Sequence, residues 1–412
     1  MIVLSVLFLE WGWARPDEAR LVRLTELVRP IAPLAATAPP AEETAEILFV
    51  NVAYELEIVE RTDSLGIPVG ERAITDRATL AELLERLHRL GDPQRAVVMD
   101  VAFVDMSPND PRLRRAFEQT PTLLVAEELG PDGQPLPTVL PAAAGVTAFP
   151  RQNQTIVKFQ RTWDGLPTLS DRMFSTLHPE LYEARAQARW SRATRLNTHL
   201  LTHRICPPGA PRCVPASDRP DAAASHLDLS LLLALPDDLL ASYARDRILL
   251  LGDYVDHDIH LTAVGDLPGS VVVANAYLGL VAGDDVVGWP LVAVLWVAFT
   301  LLSYGVFSEW RGRTWQWRAR FALQRWGVKA QAANRAATWL GTWLSLAWIP
   351  LSLLVLSLLT SLYAGVHLQV LAMTAYLALI VGTQRWIRLA RSIRREAQAR
   401  ALSKARVAEW TS

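Results

Sequence analysis

The densest set of residues able to do chemistry is GDYVDHDIH, residues 252–260, with Asp253, Asp256, His257, Asp258 and His260. Carboxylates and imidazoles at these spacings are the ligand types a divalent metal uses. The segment follows an apolar run, RILLLG, and the carboxyl ends of strands are where α/β sheets place sites. A loop does not keep strand geometry for long, however, so side chains two apart need not point the same way. Asp100 and Asp110 form a second candidate set, either an acid/base pair or two caps, Asp100 on a turn and Asp110 on the helix holding Leu113 and Phe117. Arg77, if near either, would make an ion pair that fixes the fold. The only two cysteines, Cys206 and Cys213, sit in ICPPGAPRCV, where a short-loop disulfide suits an oxidising compartment. The sequence carries no nucleophile elbow and no phosphate-binding loop. No catalytic residue and no cofactor are expected, and the chain reads as a non-enzyme.

The elements that must position these residues read as α/β. Strand-like runs occur at Ile47–Val52, Ala96–Phe103, Thr122–Ala126, Arg247–Gly252 and Ser270–Ala274. Their continuous apolar character predicts strands covered on both faces. In ITDRATLAELLERLHRL, Leu80, Leu83, Leu84, Leu87 and Leu90 make one helical stripe, with Thr75 or Asp76 able to cap it. The spacing predicts one or two helices across Ser170–Leu200. Residues 30–40, 131–141 and 207–220 are proline-rich loops, and there is no internal repeat.

Charge divides the chain more sharply than pattern does. From Val286 onward, fifteen Lys/Arg face three acids, a net +12, which leaves −13 on the first 285 residues. The same point begins a different hydrophobicity. Val286–Phe307 runs twenty-two residues without a charge and Trp339–Gln384 runs forty-six, about two further spans. A hairpin turn at Ala364–Gln369 gives spans near 286–307, 339–362 and 365–383. Between them lies a basic loop, 308–338, with Arg311, Arg313, Arg318, Arg320, Arg325, Lys329 and Arg335. A basic tail, 386–412, carries Arg388, Arg391, Arg394, Arg395, Arg400, Lys404 and Arg406. Basic flanks stay in the cytoplasm, so the residues ahead of the first span are outside. Eleven of fifteen Trp follow Val286, as an interfacial belt requires. The loop's alternation of Trp, Ala and Arg predicts a helix on the inner leaflet, against anionic lipid rather than nucleic acid. At the start, MIVLSVLFL is a short apolar run, expected as an uncleaved signal anchor within residues 1–20.

Three stretches now carry a family resemblance. They are ITDRATLAELLERLHRLGDPQRAVVMDVAF, then NDPRLRRAF followed by TPTLLVA, and ILLLGDYVDHDIHLTAVGDLPGSVVVANAYLGLV. Their order resembles the CHASE class of extracytoplasmic sensor domains, in its second type. That family shows an arginine at a helix start, a strand ending in Asp, and a further Asp beside a Leu-containing helix. A strand-Gly, an Asp before Thr-x-x-Gly, and Pro-Gly leading to Ala-Asn complete the pattern. Arg77, Asp100, Asp110, Gly252, Asp258, Thr262, Gly265, Gly269 and Asn275 occupy those places, as sensing or structural residues. The resemblance covers most of residues 40–385 and implies three membrane helices after the domain. Members usually continue into a catalytic output module, whereas here a basic segment of only about thirty residues follows the last span.

The fold expected is therefore an α/β extracytoplasmic sensor domain, residues 21–285, followed by an α-helical transmembrane bundle. The function expected is a stand-alone sensor or receptor subunit of the bacterial cytoplasmic (inner) membrane, multi-pass, with its C-terminus in the cytoplasm. It would form a homo-oligomer and hand its signal to a separate cytoplasmic output protein. Arg318, Arg325, Arg388, Arg391, Arg394 and Arg395 are the coupling candidates. Two alternatives stay open, a membrane effector or scaffold that oligomerises in the bilayer, and a metal-dependent extracytoplasmic enzyme.

Overall fold

The computed structural model describes residues 46–62, 67–140, 142–152, 154–187, 193–195, 198–200, 225–255, 258–262 and 265–288, with isolated positions beyond 290. The chain divides into two compact units, and nearly all described residues lie in the one made of residues 6–291 and 360–367. That unit is the head.

Its elements are β1 (Ile47–Asn51), β2 (Leu56–Thr62), β3 (Pro68–Thr75), α1 (Arg77–Arg89), β4 (Ala96–Met99), α2 (Asp110–Gln119), β5 (Leu123–Glu127) and β6 (Ala143–Val146). A set of short strands follows, β7 (Arg151–Gln152), β8 (Thr155–Ile156), β9 (Lys158–Gln160), β10 (Thr162–Trp163) and β11 (Leu166–Pro167). Then come α3 (Leu169–Leu177), α4 (Pro179–Gln187), β12 (Ala193–Arg195), β13 (Thr198–Leu200), β14 (Ser225–Asp228), α5 (Leu229–Ala234) and α6 (Asp237–Ala244). The head closes with β15 (Ile248–Gly252), β16 (Ile259–Thr262), β17 (Gly265–Pro268), α7 (Gly269–Ala282) and β18 (Val286–Gly288).

Six strands form one sheet in the order β14-β1-β15-β4-β5-β6, every pair parallel. Parallel strands need covered faces, and alternation along each strand feeds two separate cores. Leu48, Val50, Val97, Met99, Leu249 and Leu251 pack against α1, α2, α5 and α6 on one face. Ile47, Phe49, Val98, Leu124, Ile248 and Leu250 pack against α3 and α7 on the other. The four strand runs of residues 47–52, 96–103, 122–126 and 247–252 thus contain the central strands, in the α/β arrangement expected of the head.

Three expectations need correction. Ser270–Ala274 is the opening of α7, not a strand, and all thirteen residues Gly269–Val281 are buried. A helix buried all round shows no 3.6-residue stripe, so its apolar run imitates a covered strand. Pro268 ahead of it and Gly283 in the left-handed conformation (φ 88°) behind it are the signals that mark a helix. Across Ser170–Leu200, α3 and α4 account for the first part only, and β12 and β13 follow. Finally, β2 and β3 form an antiparallel hairpin that the apolar-run reading did not register. Its outward face carries Leu56 and Ile58, both exposed.

Among the described residues no helix is long and apolar enough to cross a membrane. The expected anchor within residues 1–20 and the spans at 339–362 and 365–383 lie outside the described residues, save single helical positions. Of the run 286–307, the first three residues form β18, which pairs with β12.

Candidate functional site at the carboxyl edge of the sheet

Parallel strands end together, so their C-terminal residues gather along one edge. There β1 ends at Asn51, β14 at Asp228 and β15 at Gly252, while β4 leads directly into Asp100. Asn51 is fully buried and joins three of these ends. Its amide donates to Asp228 Oδ1 at 2.9 Å, and its Oδ1 accepts from the backbone N–H of Ala53 (3.1 Å) and of Tyr254 (3.3 Å). Asp253 folds back on its own turn, its Oδ1 accepting from Val255 N at 2.9 Å.

Helix α7 starts at this edge. Ser270, in its first turn, donates from Oγ to Asp100 Oδ2 at 3.0 Å. Two glycines make the approach possible. A Cβ on Gly252 would lie 1.8 Å from Ser270 Oγ, and a Cβ on Gly269 would lie 2.0 Å from Asp258 Oδ2. Asp258 is tied to the helix start by its carbonyl, which accepts from Gly269 N at 2.8 Å, and its Oδ1 meets His260 Nε2 at 2.9 Å. The other imidazole nitrogen of His260 faces Arg151 at 3.3 Å.

Burial is what sets the electrostatics. It pushes the Asp100 carboxyl up from 3.8 to about 7, helped by the nearby Asp258 charge and opposed by Ser270 and His260. Burial likewise pushes the Tyr254 hydroxyl upward, which stays neutral and donates to the carbonyl of Leu250 at 2.9 Å. The edge therefore holds one carboxyl that gains or loses its proton near neutrality, a second carboxylate paired with an imidazole, and a hydroxyl at a helix N-terminus.

Asp100 and Asp110 take different partners. Asp110 receives the Arg77 guanidinium, and its Oδ2 accepts from Ser107 N at 2.9 Å. It occupies the first position of α2, with Asn109 at the cap, so Asp110 is not that cap. Arg77 is 1% exposed, opens α1 behind the capping Asp76, reaches the carbonyl of Asp105 at 2.5 Å and lies 5.0 Å from the Phe103 ring centre. This cluster braces α1 against α2. Thr262 and Gly265 close the β16–β17 hairpin, Thr262 Oγ1 donating to the carbonyl of Gly265 at 2.7 Å. Asn275, fully buried in α7, donates to the carbonyl of Val271 at 2.9 Å.

Of the metal-ligand set, Asp256 and His257 lie outside the described residues. Asp258 and His260 pair with each other, and no group of three His, Cys, Asp or Glu able to hold a metal occurs among the described residues. Cys206 and Cys213 also fall outside them, as do Arg318, Arg388, Arg391, Arg394 and Arg395, while Arg325 is an exposed helical position. Ser270, Tyr254, Asn51 and Arg151 belong to the edge but carry no sequence signal of their own. Only the placement of α7 and of the strand ends reveals them.

The CHASE2 domain family matches residues 43–307, well over half of the chain and all of the sheet just described. No curated protein and no solved structure matches. CHASE2 is an extracytoplasmic sensor domain of signal-transduction receptors. With Asp100, Gly252, Asp258 and Gly269 drawn together at one edge of a covered parallel sheet, the chain belongs to the CHASE2 family.

Proposed function

We propose that the chain is a membrane sensor subunit. Its head registers a signal outside the cytoplasm, at the carboxyl edge of the sheet, and a separate cytoplasmic output protein receives it. The observation that carries this reading is the contact of Asp100 with Ser270 at the start of α7. A carboxyl whose charge changes near neutrality there alters the first turn of a helix that spans the core. Two charge-free runs after the head, long enough together for three spans, supply the membrane part. The basic loop 308–338 and tail 386–412 supply a cytoplasmic surface for an acidic partner and for anionic lipid. The subunit is a homo-oligomer in this reading and acts by docking, not by catalysis of its own.

The experiment is capture of the output protein by the chain in its own membrane, with and without truncation after Arg395. Five basic residues after the last span remain, Arg385, Arg388, Arg391, Arg394 and Arg395, enough to hold orientation. The truncated chain inserts normally and loses the partner, and Asp100→Asn in the full chain changes the amount captured. Retained capture after truncation, with function intact, would favour the membrane effector or scaffold.

A further inference from the structure

The two ends of α7 are held by two different polar clusters. The first is the Asp100–Ser270–Asp258 edge. The second grips the last turn. There Arg185, from α4, donates to the carbonyls of Leu280 and Val281, the latter at 2.8 Å, and reaches Asp285 Oδ1 at 3.4 Å. Asp285 is fully buried, and its other oxygen lies 3.8 Å from Arg161 Nε. Arg161 also donates to Asp171 Oδ1 at 2.8 Å, and the Tyr182 hydroxyl stands 3.4 Å from both partners. Aromatic faces close the cluster, Phe174 under Arg185 at 5.1 Å and Tyr182 under Arg161 at 5.6 Å.

Two buried aspartates and two arginines are a costly way to anchor a helix that apolar packing already holds. Taking charges out of water opposes folding, and hydrophobic replacements of similar volume are often as stable. What such a cluster adds is a single geometry. A guanidinium forked over two terminal carbonyls and one carboxylate fixes where the helix ends, because shifting α7 along its axis breaks all three contacts. The helix between the clusters is fourteen residues long, about 21 Å at the usual rise, and buried from Gly269 to Val281. Asp285 is also the last residue before β18 and the charge-free run toward the expected first span.

We propose that α7 is the transmission rod of the head and that the Arg185–Asp285 clasp is its latch. A change at Asp100 and Ser270 displaces the first turn. The rod carries the displacement to Leu280 and Val281, and the clasp holds or releases Asp285 and with it the strand that leads out. Packed elements of this kind switch between two arrangements and do not deform gradually. The inference rests on the sensor reading above, since it takes the carboxyl edge as the place where the signal acts.

Hydrogen exchange on the full chain in lipid nanodiscs tests it, reading the amides of residues 280–288 in four variants. Arg185→Gln should speed exchange there by about tenfold or more, as expected for losing charge-assisted bonds. Arg185→Lys, which keeps the charge but not the fork, should give a smaller rise and a folded head. Asp100→Asn should change exchange at 280–288 in the parent by about threefold or more, an effect on the scale of a modest coupling energy. The double variant Asp100→Asn/Arg185→Lys should show that far-end response reduced.

Protection at 280–288 that ignores both Arg185 variants would overturn the latch. So would an Asp100→Asn effect confined to residues 269–273, or one undiminished in the double variant. Output capture on the same samples separates the two readings. A capture change with a silent far end removes the latch and leaves the sensor. A responsive far end with unchanged capture supports the latch and removes the sensor-to-output reading.

Discussion

Gly252 and Ser270 share space for a single hydroxyl. A methyl group at residue 252 would stand 1.8 Å from Ser270 Oγ and 3.0 Å from its Cβ. Strand β15 and the first turn of α7 thereby meet with the Ser270 side chain filling the space that a Cβ at residue 252 would need. Gly252→Ala should destabilise the head by about 1–3 kcal/mol, the range for overpacking a filled interior. Adding Ser270→Gly should recover part of that loss, because the colliding atoms are gone. Urea unfolding of the purified chain and of both variants checks this. Equal losses in the single and double variants would mean the two residues do not compete for space.

The Asp100 carboxyl gives the head a definite pH response. Its folded value of about 7 stands above the ordinary 3.8, so between the two the folded chain holds a proton that the unfolded chain has released. Stability from this group is therefore complete below about pH 4, declines as pH rises, and is lost once pH passes about 7. Asp100→Asn removes that slope. Urea midpoints at pH 5 and pH 8 should differ less in the variant than in the parent, and an unchanged difference would assign the slope to other groups.

Arg77 is a buried cation with its partners fixed around it. Truncation to Ala leaves Asp110 without its guanidinium and strips the Phe103 face, so a loss of about 3–5 kcal/mol is expected. Lysine should not restore the parent, since it cannot reach Asp110 and the carbonyl of Asp105 with one planar fork. Thermal unfolding of Arg77→Ala and Arg77→Lys measures both effects. A lysine variant as stable as the parent would show that charge alone matters there.

Cys206 and Cys213 provide a test of compartment. Alkylation before reduction should find no free thiol on either residue, because a short-loop pair in an oxidising space is closed. Labelling of both without reductant would withdraw the disulfide.

Much of this was legible in the residues, and the gaps have physical causes. The runs ILFVN, AVVM, LLVAE and ILLLG declared four covered strands, since strands covered on both faces need apolar side chains at successive positions. The same rule misled at SVVVA, where burial on every side erases helical periodicity. The β2–β3 hairpin was hidden because its charges, Glu57, Glu60, Arg61, Glu71 and Arg72, interrupt the apolar runs. For the site, Asp100, Gly252, Asp258 and Gly269 stood out through the motif order. Ser270 and Tyr254 did not, being ordinary residues whose part depends on which strand ends meet. The clasp at Asp285 was invisible for the same reason. Its arginines come from residues 161 and 185, more than a hundred positions before Val286.

The proposed sensing role requires a head outside the membrane joined to basic segments inside. Single cysteines at Pro135, in the head, and at Ala401, in the tail, placed in a Cys206/Cys213-free chain, test it in intact cells with an impermeant thiol reagent. Position 135 should label from outside and position 401 only after the membrane is breached. Labelling of position 401 in intact cells, or protection of position 135, would contradict the topology on which the sensing role depends.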